Sequence, residues 1–137
     1  MANAAMIDAC ESSDILLALY APTYDLVRLI TAPRITGKLT DHGIAHTYNK
    51  SENVIYTSAP RFGDFILRTL DNPERIVGYE SYKAHCDELD TLQKEHARHA
   101  WNQVIARNRQ VPKGVTDPFN QASAYTTPEG FRFCHER

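Results

Sequence analysis

Two short runs constrain this chain most: Ile44-Ala45-His46-Thr47-Tyr48 and Val54-Ile55-Tyr56-Thr57-Ser58. Both are rich in β-branched and aromatic residues, which fit a pleated surface. The polar stretch Asn49-Lys50-Ser51-Glu52-Asn53 lies between them. This pattern predicts a β-hairpin with a longer loop. Helix-like patterns on both sides of the hairpin then make the expected class α+β.

On the amino side, Ser12-Ser13-Asp14 is a helix-start cluster, followed by the apolar run Ile15 to Tyr20 and then Pro22. Proline is tolerated in a first turn but not inside a helix. The expectation is two short helices, over 14–20 and 23–31, with Leu26, Leu29 and Ile30 as the stripe of the second. After Ala32-Pro33 a third short helix is predicted over 34–43, with Ile35 and Leu39 on one face and Gly43 as its cap. Beyond the hairpin, Phe62, Phe65, Ile66 and Leu70 fall at helical spacing, and Ile76 to Tyr79 could add a short third strand.

A long helix is predicted from 81 to 109, because Tyr82, Cys86, Leu89, Leu92, His96, Ala100 and Val104 recur every three or four residues. Its length would be roughly 40 Å, more than so small a body can cover. That excess suggests a homodimer formed along it, with Ala97 and Ala100 at the close approach. The expected organisation is one α+β domain over 1–110 and an extended tail over 111–137, in which Pro112, Gly114, Pro118, Pro128 and Gly130 leave no periodicity and Phe119, Tyr125, Phe131 and Phe133 are scattered. The expected core comprises Leu16, Leu19, Leu26, Leu29, Ile35, Leu39, Val54, Tyr56, Phe65 and Ile66.

The 137 residues fit a single domain. A net charge of -2 gives no global basic field for nucleic acid or an anionic membrane. Cys10, Cys86 and Cys134 are odd in number and widely spaced, which fits a reducing cytoplasm better than a disulfide framework. No apolar run reaches bilayer length, and the amino-terminal residues lack the pattern of a secretory signal.

The order of elements over residues 14–58 resembles a winged helix–turn–helix DNA-binding domain. The matching residues are Ile15-Leu16 with Leu19, Leu26-Val27 with Ile30, Ile35 and Leu39 running into Gly43-Ile44, and Val54 to Thr57 as the returning wing strand. The resemblance implies a small transcription regulator that binds double-stranded DNA. Arg34, Thr36, Lys38 and Thr40 would meet the major groove, and Lys50 would meet phosphate at the wing tip. Only the stretch 33–61 is net positive, with Arg34, Lys38, Lys50 and Arg61 against Asp41 and Glu52. The alternative is a protein-binding module, an inhibitor or adaptor, that occupies a surface of another protein.

An enzyme is the less expected reading. His85, His96 and His99 would share a helix face, but 85 and 96 would lie roughly 16 Å apart, too far for one ion. Asp41, His42 and His46 offer acid–base groups without an activated nucleophile. Neither G-x-G-x-x-G nor G-x-x-x-x-G-K-[ST] occurs, so the familiar phosphate loops are missing from these residues. No catalytic residue, metal site or cofactor is expected from these patterns.

Overall fold

The computed structural model describes residues 1–126 and 133–136. Its centre is a mixed six-stranded sheet in the order β2-β3-β4-β1-β5-β6. The strands are β1 (Leu16–Ala21), β2 (His46–Asn49), β3 (Val54–Thr57), β4 (Asp64–Thr69), β5 (Lys83–Asp87) and β6 (Gln121–Tyr125). β4, β1, β5 and β6 run parallel, and β2 and β3 join antiparallel beside β4. This is an α/β fold, not the expected α+β assembly of short helices, hairpin, long helix and tail.

Three corrections follow, the first two from one cause: apolar runs that sit inside a covered sheet carry no alternation to mark them as strands. Residues 14–20 are not a helix. Leu16-Leu17-Ala18-Leu19-Tyr20-Ala21 is the central strand, buried along nearly its whole length. Leu17, Leu19 and Ala21 enter one core, while Ala18 and Tyr20 enter the other. Residues 62–70 likewise are not a helix: Asp64–Thr69 is β4, with Phe65 and Leu67 in the first core and Ile66 in the second. The predicted long helix over 81–109 divides into β5, a 3-10 turn at Leu89–Thr91 and α4 (Lys94–Arg107).

Helices cover both faces. α1 (Ala2–Ala9) and α3 (Ala32–Asp41) pack on the first core, and α4 packs on the second. At 14 residues, α4 is about 21 Å long and does not outrun the body. Ala97 and Ala100, expected at a dimer contact, are fully buried in the chain's own core. The geometric motive for a dimer along 81–109 therefore falls away.

The expected break at Ala32-Pro33 also does not occur. α2 (Tyr24–Leu26), a π turn (Val27–Thr31) and α3 run on as continuous helical backbone. Proline has no N–H for an ordinary helical bond and crowds the preceding turn. The wider π turn immediately before it absorbs both problems. Thr23 caps the start, its hydroxyl accepting from the Leu26 N–H at 3.3 Å.

The hairpin is where the sequence placed it, but it is not a wing. β3 continues the pairing onto β4, with Val54 opposite Ile66 and Ile55 opposite Phe65. The winged-helix resemblance fails for this reason: its first helix is a central strand and its wing is the margin of a larger sheet. Residues 76–79 form no strand; a 3-10 turn at Pro73–Arg75 precedes them. Residues 121–125 add to the sheet as β6, while Pro128, Gly130 and Phe131 of the expected tail lie outside the described residues. No helix among the described residues is long and apolar enough to cross a membrane.

Of the expected core, Leu19, Ile35, Leu39, Val54, Phe65 and Ile66 are buried, whereas Leu29 and Tyr56 are 65% and 44% exposed. Leu39 on α3 is wholly enclosed. Leu39→Ala should therefore cost roughly 2–5 kcal/mol in urea unfolding. A loss within about 0.5 kcal/mol, typical of a surface site, would remove Leu39 from the core.

Candidate functional site

In a parallel sheet covered on both faces, side chains at the carboxyl ends of strands converge where neighbouring connections diverge. Here β1 leads through α2 and α3 toward the β2–β4 side, and β5 leads through α4 to β6 on the other side. The crevice therefore opens at the carboxyl ends of β1 and β5. A cleft of about 170 Å³ lies at that place, lined by Ala21, Pro22, Leu26, Ile30, Thr31, Arg34, Asp87 and Glu88.

Asp87 ends β5, and Glu88 follows it directly. Both are half-buried. Their carboxylates hold no hydrogen bond or ion pair among the described residues. The carboxylates of Asp8, Glu11, Asp14 and Asp64, by contrast, are engaged within the fold. Glu88 has left-handed backbone, with φ at 50°. That conformation is costly for any residue with a Cβ, and such outliers gather at functional sites. Its backbone is nonetheless fixed: the Glu88 N–H donates to Tyr125 O at 2.6 Å, and Thr91 Oγ1 donates to Glu88 O at 2.7 Å. The π turn contributes Ile30 and Thr31 to the same cleft. Arg34 is its cation.

The amino-proximal half of β5 is tied down by charge. His85 is buried, with Nε2 2.8 Å from Asp8 Oδ2 and Nδ1 3.0 Å from the Tyr125 hydroxyl. Lys83 Nζ donates to Asp8 Oδ1 at 3.2 Å and Glu11 Oε1 at 2.6 Å, and the Tyr82 hydroxyl donates to Glu11 Oε2 at 2.9 Å. Burial alone would raise the Asp8 carboxyl, but the His85 hydrogen bond and the Lys83 charge outweigh it and hold it below the ordinary carboxylate range. These groups bind α1 to the sheet.

The five residues expected to contact DNA fall in different surroundings. Arg34 lines the acidic crevice, whereas Thr36 and Lys50 line a separate cleft with Arg28. Lys38 and Thr40 line neither. The hydroxyls of Thr36 and Thr40 donate to carbonyls of their own helix, at Ala32 and Thr36. The histidines are dispersed: His96 Nε2 meets Leu70 O, His99 Nε2 meets Glu74, and His42 and His46 bond to nearby backbone. No group of three or more His, Cys, Asp or Glu residues among those described could hold a metal by itself. Sequence reading missed Asp87 and Glu88 because it placed them mid-helix. The available signal was an acidic cluster, Asp87, Glu88 and Asp90, closing the alternating stretch Lys83-Ala84-His85-Cys86.

The fold and crevice define a doubly wound α/β domain with an acidic pair at its switch point. No family model and no curated protein matches the sequence. Among solved structures, the large terminase of a thermophilic bacteriophage is similar with a TM-score of 0.66 at 11% identity, covering 90% of this chain and 29% of that one. The ATPase domain of the Thermus phage P74-26 large terminase has a TM-score of 0.60 at 15% identity, covering 98% of this chain and 58% of that domain. The HK97 bacteriophage large terminase has a TM-score of 0.55 at 10% identity, covering 85% and 23%. The chain thus spans under a third of the first of these proteins, and what is shared is the fold. That likeness overturns the winged-helix transcription regulator and does not support the inhibitor or adaptor reading.

Two outcomes follow. Glu88→Gly should leave stability unchanged or raise it by up to about 1 kcal/mol in urea unfolding, because glycine adopts the left-handed backbone without penalty. Asp8→Asn should cost about 1–3 kcal/mol at neutral pH. The folded Asp8 carboxyl titrates lower than in the unfolded chain, so its contribution is present above the ordinary carboxylate value and lost as pH falls through the depressed one. The gap between wild type and variant should close in acid, as read by denaturation from pH 7 to pH 2.

Proposed function

We propose that this chain is a nucleotide-site module of the large-terminase ATPase type, in which Asp87 and Glu88 form the acidic half of the site. The observation that carries this reading is the placement of two unengaged carboxylates at the carboxyl end of β5, beside β1, in the crevice that also holds Arg34. The large terminase of the thermophilic bacteriophage is known in complexes with ADP and with ATP-γ-S, which supports a nucleotide as the ligand. DNA and further protein subunits are the compatible partners of a terminase-type module.

The donor set fits magnesium. That ion takes hard oxygen ligands and is held by one or two carboxylates together with substrate phosphates, not by an all-protein cage. Asp87 would hold it, and when bound it would neutralise phosphate charge. Glu88, which follows β5 in left-handed backbone, would orient a water molecule and accept its proton. Arg34 supplies positive charge on the opposite wall. The grip on the outer phosphates must come from another element, since neither familiar phosphate loop occurs in the 137 residues.

The test reads a divalent ion first. Added Mn²⁺ should broaden the amide NMR signals around Asp87 and Glu88 selectively, and ATP should strengthen the effect. Asp87→Asn should weaken Mn²⁺ binding at least about tenfold, a loss of roughly 1.4 kcal/mol, with the rest of the spectrum unchanged. Uniform broadening, or identical behaviour of the variant, defeats the reading.

A further inference from the structure

A second feature lies on the other side of β1 from the acidic crevice. Two clefts meet at Tyr24. One, of about 410 Å³, lies between the carboxyl end of β4 and the hairpin turn, and carries Arg68 and Arg75. The other, of about 400 Å³, lies between the 24–41 helical segment and the hairpin, and carries Arg28, Lys50 and Tyr48. Among the described residues, Glu52 is the single carboxylate that lines either cleft, and its Oε2 already accepts from the Tyr56 hydroxyl.

Four cations against one carboxylate stand out in a chain whose net charge is -2. Arg28, Lys50 and Arg75 take part in no ion pair among the described residues; the pairs there include Lys83, Arg98, Arg109 and two histidines. Arg68 is pre-positioned, its Nη1 donating to the carbonyls of Glu52 and Leu67 and its guanidinium lying 5.5 Å above the Tyr79 ring. A guanidinium has five N–H donors, so Arg68 keeps capacity for an anion. Gathered cations repel one another unless an anion lies among them.

We propose that these adjoining clefts form a track for a single strand of nucleic acid, with Tyr24 as the stacking platform between two nucleotide units. Tyr24 is 50% exposed, and the Tyr48 ring beside it is held by its hydroxyl bond to Asn53. Each cleft lies in the small-ligand range of roughly 300–1,000 Å³, room for one nucleotide unit but not for a duplex. Two such compartments, each with its own cations and sharing one ring, suit a chain of nucleotides better than a lone nucleotide. Aromatic stacking combined with a cationic groove is the physical basis of single-strand binding. The proposal rests on the terminase-type reading only in expecting nucleic acid as a partner, because the track and the acidic crevice share no residue.

The test is fluorescence anisotropy of a labelled oligothymidylate with the intact chain in EDTA, so that no divalent ion brings the acidic pair into play. Binding should weaken as salt rises, with a slope of about -0.7 per phosphate contacted. Arg28→Ala and Arg75→Ala should each lower that slope by about one contact. Tyr24→Leu should weaken binding roughly five- to hundredfold. Arg109→Ala, at an exposed ion pair with Glu80, should change nothing. No binding at low salt, a preference for duplex, equal competition by inorganic phosphate, or indifference to Tyr24→Leu would each overturn the track. None of these results bears on Mn²⁺ at Asp87 and Glu88, so the two readings fail separately.

Discussion

Everything in this molecule leans on β1. Its side chains supply both cores, and β4 and β5 pair with it from opposite sides. Leu17 lies opposite both Phe65 and Lys83 in register, and Tyr20 lies opposite both Arg68 and Cys86. A one-residue slip would exchange Leu17 and Leu19 for Ala18 and Tyr20 across the sheet and empty one core into the other. Because β1, β4 and β5 run parallel, their carboxyl ends form one edge of the body. The cleft beside Asp87 and the clefts beside Tyr24 all open along that edge.

Polar interactions divide β5 into a fixed half and a free half. Lys83 and His85 are held to α1 by Asp8 and Glu11, a cluster that would cost several kcal/mol to leave unpaired at such burial. Two residues further on, Asp87 and Glu88 have no such ties. Backbone bonds to Tyr125 and Thr91 hold the Glu88 peptide in a conformation it would not choose, while its carboxylate stays unengaged. A binding constellation needs a rigid supporting backbone, and these bonds supply it at Glu88.

The hairpin was legible because its strands are rich in β-branched and aromatic residues and its loop is polar; Val54 and Ile55 are buried while Tyr56 faces solvent. α3 was legible because Ile35 and Leu39 face one core across a polar surface. β1 and β4 were not, because a strand covered on both faces is largely apolar and mimics a buried helix over so short a window; β5, Lys83-Ala84-His85-Cys86-Asp87, was masked because Tyr82, Cys86, Leu89 and Leu92 continue at helical spacing into α4. Phe62, Phe65, Ile66 and Leu70 matched helical spacing by accident of a sheet with two cores. The residues of the candidate site were hidden by the same error. Arg34 and Lys50 drew notice through charge, but their separation into different clefts depends on a β1–α2 connection that no local pattern reveals. Asp87 and Glu88 gain meaning only once β5 is a strand ending at the switch point.

The crevice also sets a requirement on anything that would use it. Two carboxylates and a polyphosphate repel each other, and Arg34 alone offers one positive charge against them. A divalent cation between carboxylate and phosphate removes that conflict, since its charge is the largest in such a site. The same reasoning explains why Arg28, Lys50, Arg68 and Arg75 cannot serve the acidic pair: they stand beyond β1, with Tyr24 among them, where no unengaged carboxylate shares their clefts. One sheet edge therefore presents two electrostatically opposite surfaces, an acidic one suited to a cation-borne phosphate and a basic one suited to bare phosphates. The 24–41 helical segment, with its π turn, is the wall they have in common.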